Sequence, residues 1–257
     1  MGGPTPKSEP SIIAPKTFRA YMASRQKVTP GELSIPSHLL FTYHSNMFRT
    51  ARRRIRGRYL RWYYGWRLAA GRLKGADLAV LHSFMGSSMA GTMLEEMIAF
   101  GARQIVEVGI CGGLSSALKV GDIIVVDEGL VDEGTSGHYF EDAARFSASN
   151  AVTKAIKDSL CEANTDFKVG SMWTTDAPYR ETRAKLSRFK KLGAIGVNME
   201  TSAMFAIAQY RGVDIGSIQV VSDLVGRKDW KPAFHEKIVA ERSEAAVKSA
   251  LDVLTRI

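Results

Sequence analysis

The stretch Gly196-Val197-Asn198-Met199-Glu200-Thr201-Ser202-Ala203-Met204-Phe205, followed by Ile218-Gln219-Val220-Val221-Ser222-Asp223, constrains the fold more than any other part of the chain. The first run reads as a strand end turning directly into a helix. The second reads as a buried strand that ends on a carboxylate. Apolar runs bounded by turn residues indicate parallel strands, and the spacing of Met204, Ile207 and Ala208 indicates a crossover helix between them. Ligands of open α/β sheets collect at the carboxyl ends of the strands. The unit is therefore expected to set Glu200 and Asp223 on one functional edge.

The same alternation runs through the rest of the chain. Residues 39–43, 77–85, 104–110, 120–126 and 167–175 read as strands, and 87–100, 149–163 and 181–192 as helices, with a last helix running nearly to the C-terminus. Ser87 or Ser88 is the expected N-cap of the helix ending at Gly101, whose own place is the C-cap. Met89, Met93 and Met97 form a stripe on that helix, most simply core packing. Alternating strands and helices argue for one α/β domain over residues 36–257. Residues 1–35 read as a peripheral segment, punctuated by Pro4, Pro10, Pro15 and Pro30, with helical character only over 17–28.

Composition narrows the class. With 45% hydrophobic and 24% charged residues the chain is ordinary globular protein. Its two cysteines, Cys111 and Cys161, are far apart, which favours a reduced setting over a disulfide framework. No apolar run approaches the roughly 20 residues of a membrane span, and the start Met1-Gly2-Gly3-Pro4 lacks the basic-then-apolar pattern of a signal peptide. The expected location is cytoplasmic, with no membrane partner. The five histidines show no clustered ligand spacing, so no metal is expected. His38 and His138 read as loop or surface residues.

The net charge of +9 is concentrated: residues 49–74 carry nine arginines, one lysine and no acid. This segment is either an anion or nucleic-acid face or a solvated basic surface at a subunit contact. Tyr59, Trp62, Tyr63, Tyr64 and Trp66 within it indicate a strand or hairpin. Just before it, His44-Ser45-Asn46-Met47-Phe48-Arg49 is a polar turn leading to a basic helix beginning near Thr50, an arrangement whose free helix N–H groups can cradle an anion. The loop Asp132-Glu133-Gly134-Thr135-Ser136-Gly137-His138-Tyr139 is rich in reactive side chains and is expected to lie over a site. The glycines at 109, 112 and 113 do not have the spacing of a dinucleotide fingerprint or a P-loop.

The motifs Val108-Gly109-Ile110-Cys111-Gly112-Gly113, Gly121-Asp122-Ile123, Asp132-Glu133-Gly134-Thr135-Ser136, Thr175-Asp176, Val197-Asn198-Met199-Glu200-Thr201-Ser202-Ala203 and Val221-Ser222-Asp223 come in one order at consistent separations. In that order the chain resembles the nucleoside phosphorylase-I superfamily, over roughly residues 77–250. The resemblance implies a three-layer α/β/α sandwich around a mixed, partly barrel-like sheet. It also implies assembly into homo-oligomers, dimers or hexamers, with sites near subunit contacts.

By the same resemblance Met199 packs against the ribose, Glu200 takes its 2′- and 3′-hydroxyls, and Asp223 donates a proton or hydrogen bond to N7 of the leaving purine. A carboxylate beside the sugar suits a reaction that develops positive charge on it. Thr175, Asp176, Tyr179 and Arg183 fall where the family contacts the base, although the Gln-x-Arg pair of uridine phosphorylases is not evident in Tyr179-Arg180-Glu181-Thr182-Arg183. Ser45, Arg49, Arg61, Arg67 and Gly109 are the candidates for a phosphate site. The family's arginine and hydroxyl residue in the strand-end motif are replaced here by Glu107 and Ile110. The implied activity is phosphorolysis of a ribonucleoside, purine favoured, to base and ribose 1-phosphate, with inorganic phosphate as co-substrate and no further cofactor. The alternatives are hydrolysis of the same bond by a nucleosidase, a uridine phosphorylase, and a nucleoside- or nucleic-acid-binding protein without turnover.

Overall fold

The computed structural model describes residues 4–63, 67–225 and 229–257. Tyr64 and Trp66 of the aromatic run, and Met1 to Gly3 of the signal-peptide test, lie outside them. The principal strands are β1 (His38–Thr42), β2 (Arg67–Leu73), β3 (Ala76–His82), β4 (Gln104–Gly113), β5 (Ile123–Asp132), β6 (Phe167–Thr175), β7 (Ala194–Asn198) and β8 (Asp214–Leu224). The principal helices are α1 (Pro15–Gln26), α2 (Ser45–Arg54), α3 (Ser87–Phe100), α4 (Asn150–Glu162), α5 (Arg183–Lys191), α6 (Thr201–Arg211) and α7 (Lys237–Leu254).

One mixed sheet carries the fold, and part of it closes on itself. β4 pairs in parallel with β8 from Gln104↔Asp214 onward, β8 runs antiparallel to β5, β5 parallel to β6, and β6 parallel to β7. β7 returns to β4 antiparallel, Gly196 opposite Gly113 and Val197 opposite Gly112. These five strands make a closed barrel, while β1, β3 and β2 extend β4 as an open wing. The expected parallel pair flanking a crossover helix is corrected here. β7 and β8 do not pair with each other but flank β4 in opposite senses, because β4 continues past Ile110, where the sequence reading ended it, through its glycines to Gly113.

Side-chain alternation along the strands builds two cores. Leu39, Phe41 and Ile105 face α1, α3 and α6, while Leu40, Val80, Val106 and Val108 face α2, α4 and α7, giving three layers. A third cluster lies under α5, where Trp173 stacks on Phe189 with ring centroids 4.7 Å apart. The N-terminal stretch contributes to the first core through Met22, Ala23 and Leu33, all nearly inaccessible.

Several local expectations change. The basic helix starts at Ser45 rather than near Thr50. Helix α3 has Gly86 at its N-cap with no side-chain cap, and Ser87 Oγ instead donates to the Met199 carbonyl at 2.7 Å. Gly101 is its C-cap, as expected. Met93 and Met97 are core, but Met89 is 43% exposed. The hairpin in the basic segment exists in part: Arg58–Tyr59 pairs with β2, and Trp62 and Tyr63 pack edge-on against Phe100. Among the described residues no helix is long and apolar enough to cross a membrane.

Candidate active site

The carboxyl ends of β4, β7 and β8 converge on a cavity of about 390 Å³. Glu200 and Asp223 both stand on its wall, with Met199, Asn198, Tyr43, His44, Ile110 and Glu181. Each of the two acids is placed by a local device. β7 ends at Asn198, and Glu200 is the N-cap of α6, so its side chain turns back across the chain. Its Oε1 accepts from the Gly86 amide at 2.8 Å and its Oε2 from the Met199 amide at 3.2 Å. Asp223 follows an irregularity in the β4–β8 register between Val221 and Asp223, the kind of bulge that re-aims a side chain at a sheet rim. Its Oδ1 accepts from Ser222 Oγ at 2.8 Å and its Oδ2 from Trp230 Nε1 at 2.7 Å. Gly112 makes room for it, since a Cβ there would stand 3.3 Å from Asp223 Oδ2 and 2.7 Å from Val225.

The cavity is poor in positive charge. Among the described residues its wall carries no arginine or lysine, and three carboxylates, Glu181, Glu200 and Asp223. Burial pushes Glu200 up to about 7, with the Glu107 charge adding to the shift and the two amide bonds opposing it. Burial and the Asp223 charge likewise push Glu181 up to about 7. His44 is the one wall residue that could become a cation in this range, and burial with the neighbouring His82 holds it down to about 4, so it is neutral at pH 7.

Behind the wall lies a buried polar network. Tyr43 Oη donates to Glu107 Oε1 at 2.7 Å, and Thr201 Oγ1 donates to Glu107 Oε2 at 2.9 Å. Asn198 Nδ2 donates to Thr201 Oγ1, and Thr174 Oγ1 donates to Asn198 Oδ1 at 3.1 Å. Glu107 is not on the cavity wall. Desolvation raises its pKa and the surrounding hydroxyl donors pull the other way.

Of the base-contact candidates, only Tyr179 lines the cavity, at its rim and 98% exposed. Thr175 is buried, and its hydroxyl accepts from the Ala177 amide. Asp176 accepts from the Gly134 amide at 2.8 Å and lines a different hollow. Arg183 is exposed at the start of α5. Of the phosphate candidates, Ser45 opens α2 and Arg49 lines a hollow adjoining the cavity. Arg61 and Arg67 are exposed, and Gly109 is buried against the Gln219 amide. The loop 132–139 includes a short helix, Ser136–Tyr139, and lies over that different hollow rather than over the cavity. Sequence reasoning missed Tyr43, Trp230 and Phe234 as wall residues. A tryptophan in the polar stretch just after Asp223 was the available signal for Trp230.

The structure is thus a part-barrel α/β/α sandwich with two carboxylates at converging strand ends. The chain belongs to the phosphorylase superfamily, whose family model matches residues 53–257. It is 30% identical over 159 residues to a purine nucleoside phosphorylase, DeoD-type, of Clostridium beijerinckii; the match takes in 60% of this chain and 65% of that protein's length. Among solved structures, uridine phosphorylase from Vibrio fischeri ES114 superposes with a TM-score of 0.77 at 21% identity, over 87% of this chain and 93% of that one. AMP nucleosidase from Bacteroides thetaiotaomicron superposes with a TM-score of 0.72 at 19% identity, over 95% and 99%. At these identities the superpositions speak for the fold alone.

Proposed function

We propose that the chain cleaves the N-glycosidic bond of a purine ribonucleoside by hydrolysis. Glu200 accepts the ribose hydroxyls, Met199 packs on the sugar, and Asp223 hydrogen-bonds the departing base. The carrying observation is the charge of the cavity: three carboxylates, and no arginine or lysine among its described wall residues. Carboxylates favour the positive charge that develops on the ribosyl group as the bond breaks. They disfavour a phosphate dianion as attacking group, because like charges at close range in a desolvated site repel strongly. Water carries no such penalty. A cavity with Glu200 and Met199 set against the sugar and Asp223 against the base supplies the positioning.

Phosphorolysis is the second reading. It is favoured by Arg49, which lines the adjoining hollow next to Ile110 and could reach a phosphate there. Uracil as the base is the less favoured choice, since Asp223 suits a purine N7. Base release from inosine, adenosine, guanosine and uridine, with and without phosphate, decides between them. Hydrolysis gives free ribose at a rate indifferent to phosphate. Strict phosphate dependence with ribose 1-phosphate as product would establish phosphorolysis instead.

A further inference from the structure

Hydrolysis makes a demand that Glu200, Met199 and Asp223 do not meet: the attacking water must give up a proton as its oxygen bonds to C1′. Few groups on the cavity wall are free to take it. Glu200 is committed to the ribose hydroxyls, and Glu181 stands at the base end, where the Asp223 charge acts on it. His44 is held down to about 4 by burial and by His82, which makes it a weak base. Tyr43 remains.

Tyr43 follows β1, lines the cavity and is 7% exposed. Burial, then the charges of Glu107 and Glu200, push its phenol up, so the hydroxyl lies near both acids. Such a phenol does not hold a negative charge, but its oxygen can accept a proton while its own proton leaves. The partner for that exchange is in place, because Tyr43 Oη donates to Glu107 Oε1 at 2.7 Å. Glu107 is fully buried and does not line the cavity, so it exchanges protons with the cavity only through a neighbour such as Tyr43. Burial raises its pKa and makes it a stronger base than an exposed carboxylate, while donors from Ser217, Tyr43, Thr201 and Gln219 keep its ionised form accessible. Ser217 lies opposite it on β8, and Thr201 Oγ1 donates to its Oε2 at 2.9 Å. Thr201 directly follows Glu200, so the same carboxyl is anchored to the turn that carries the sugar-binding acid.

We propose that Tyr43 and Glu107 act as one unit that takes the proton of the attacking water. The C1′–N bond breaks with its electron pair leaving on the base, which gains a proton on the Asp223 side. The water oxygen forms the new bond to C1′. Its proton passes to Tyr43 Oη as the Tyr43 proton passes to Glu107 Oε1, so no phenolate forms. The hydrogen bond between the two residues is then reversed, and the proton returns by the same path to solvent once the products leave. Only Tyr43 touches the water; Glu107 acts through it. The unit is this chain's own, since the resemblance implies arginine at position 107. The inference rests on the hydrolytic reading of the cavity, and the test separates the two.

The test is phosphate-free base release from inosine, adenosine, guanosine and uridine by wild type, Tyr43→Phe, Glu107→Gln and the double variant. Values of kcat and KM are taken in H2O and in D2O. Wild type is expected to release base without phosphate, and more slowly in D2O. Each single variant should lose roughly 10²–10⁴ in kcat with KM held within about threefold. The double variant should lose no more than the worse single one, because the two residues form one path. Melting temperatures set an assay temperature at which the variants are folded. If Glu107→Gln does not fold, Tyr43→Phe, which deletes one oxygen, decides alone. Hydrolysis by wild type with kcat unmoved in Tyr43→Phe overturns the inference and leaves the hydrolytic reading standing. The same holds for losses that multiply in the double variant, for a wild-type kcat equal in H2O and D2O, and for a loss confined to KM, which a strut alone would give. Strict phosphate dependence in wild type, or no release from any of the four compounds, overturns both.

Discussion

The Tyr43 hydroxyl donates to Glu107 Oε1 at 2.7 Å, tying the residue that follows β1 to the middle of β4. Thr201 Oγ1 holds the other oxygen of the same carboxyl, so Glu107 joins the open wing, the barrel and the first residue of α6. The acid that stands where a phosphorylase-like motif would have arginine is thus a strut behind the cavity. Tyr43→Phe removes one donor from a fully buried carboxyl. The expected cost is about 1–3 kcal/mol, read as a lower denaturant midpoint at constant m-value. An unchanged midpoint would mean the strut carries no load.

Glu200 links stability to pH with an unusual sign. Its pKa is about 7 in the folded chain against an ordinary value of 4.5. The unfolded chain therefore releases this proton first as pH rises. The fold is most stable, in this respect, below about pH 4, loses stability as pH rises through 7, and levels off above it. Glu200→Gln removes the buried charge, so at pH 8 the variant should be more stable than wild type by ~1–3 kcal/mol, with little gain at pH 4. Melting temperatures at the two pH values check this; equal differences at both would sink it. The same variant should lose most base release, because the ribose hydroxyls lose an ionised acceptor. In wild type, activity should rise with pH through about 7 as Glu200 ionises.

Asp223→Asn keeps the shape of the side chain and removes its acid chemistry. Base release from a purine nucleoside should fall by roughly 10²–10⁴. The discriminating substrate is a 4-nitrophenyl riboside, whose leaving group departs without being protonated. Its hydrolysis should survive the substitution nearly intact. Equal losses on both substrates would assign Asp223 to holding the site together rather than to the leaving base.

The sequence placed Glu200 and Asp223 on one edge because both sit at the ends of apolar runs, and strand ends are what periodicity locates well. It could not show that β4 continues through Cys111, Gly112 and Gly113 to meet both β7 and β8, since glycines read as a stop in a local window. Barrel closure is a long-range pairing, Gly196 with Gly113, and carries no local signature. The N-cap of α3 was misread for a similar reason. Ser87 has the right chemistry for a cap, but its hydroxyl is taken by the Met199 carbonyl, 112 residues away. The positive charge of 49–74 was plain in composition. Its division into a hollow beside the cavity, through Arg49 and Arg53, and a solvated face, through Arg61 and Arg67, depends on where α2 packs against α7. Glu107 stands where the resemblance implies arginine, and its role was not legible because donors to it such as Tyr43 and Thr201 come from distant elements.

Gly129 offers a test of how tightly the scaffold sets the site. It lies on β5 against the first turn of α6, and a Cβ there would stand 2.7 Å from Ser202 Cα and 2.9 Å from its amide nitrogen. Both are backbone atoms, so no side chain can swing aside to relieve the contact. Gly129→Ala must push the start of α6 away from the sheet. That turn begins at Glu200, whose carboxylate is fixed by two amide bonds, and it includes Thr201, which holds Glu107. The expected cost is about 1–3 kcal/mol of stability from overpacking. A drop in kcat/KM of about tenfold or more should accompany it, because the displaced acid no longer meets the sugar in the required geometry. The residue does not line the cavity, so a direct contact with substrate cannot explain such a loss. Full activity at a temperature where the variant stays folded would show that the helix start moves independently of Glu200.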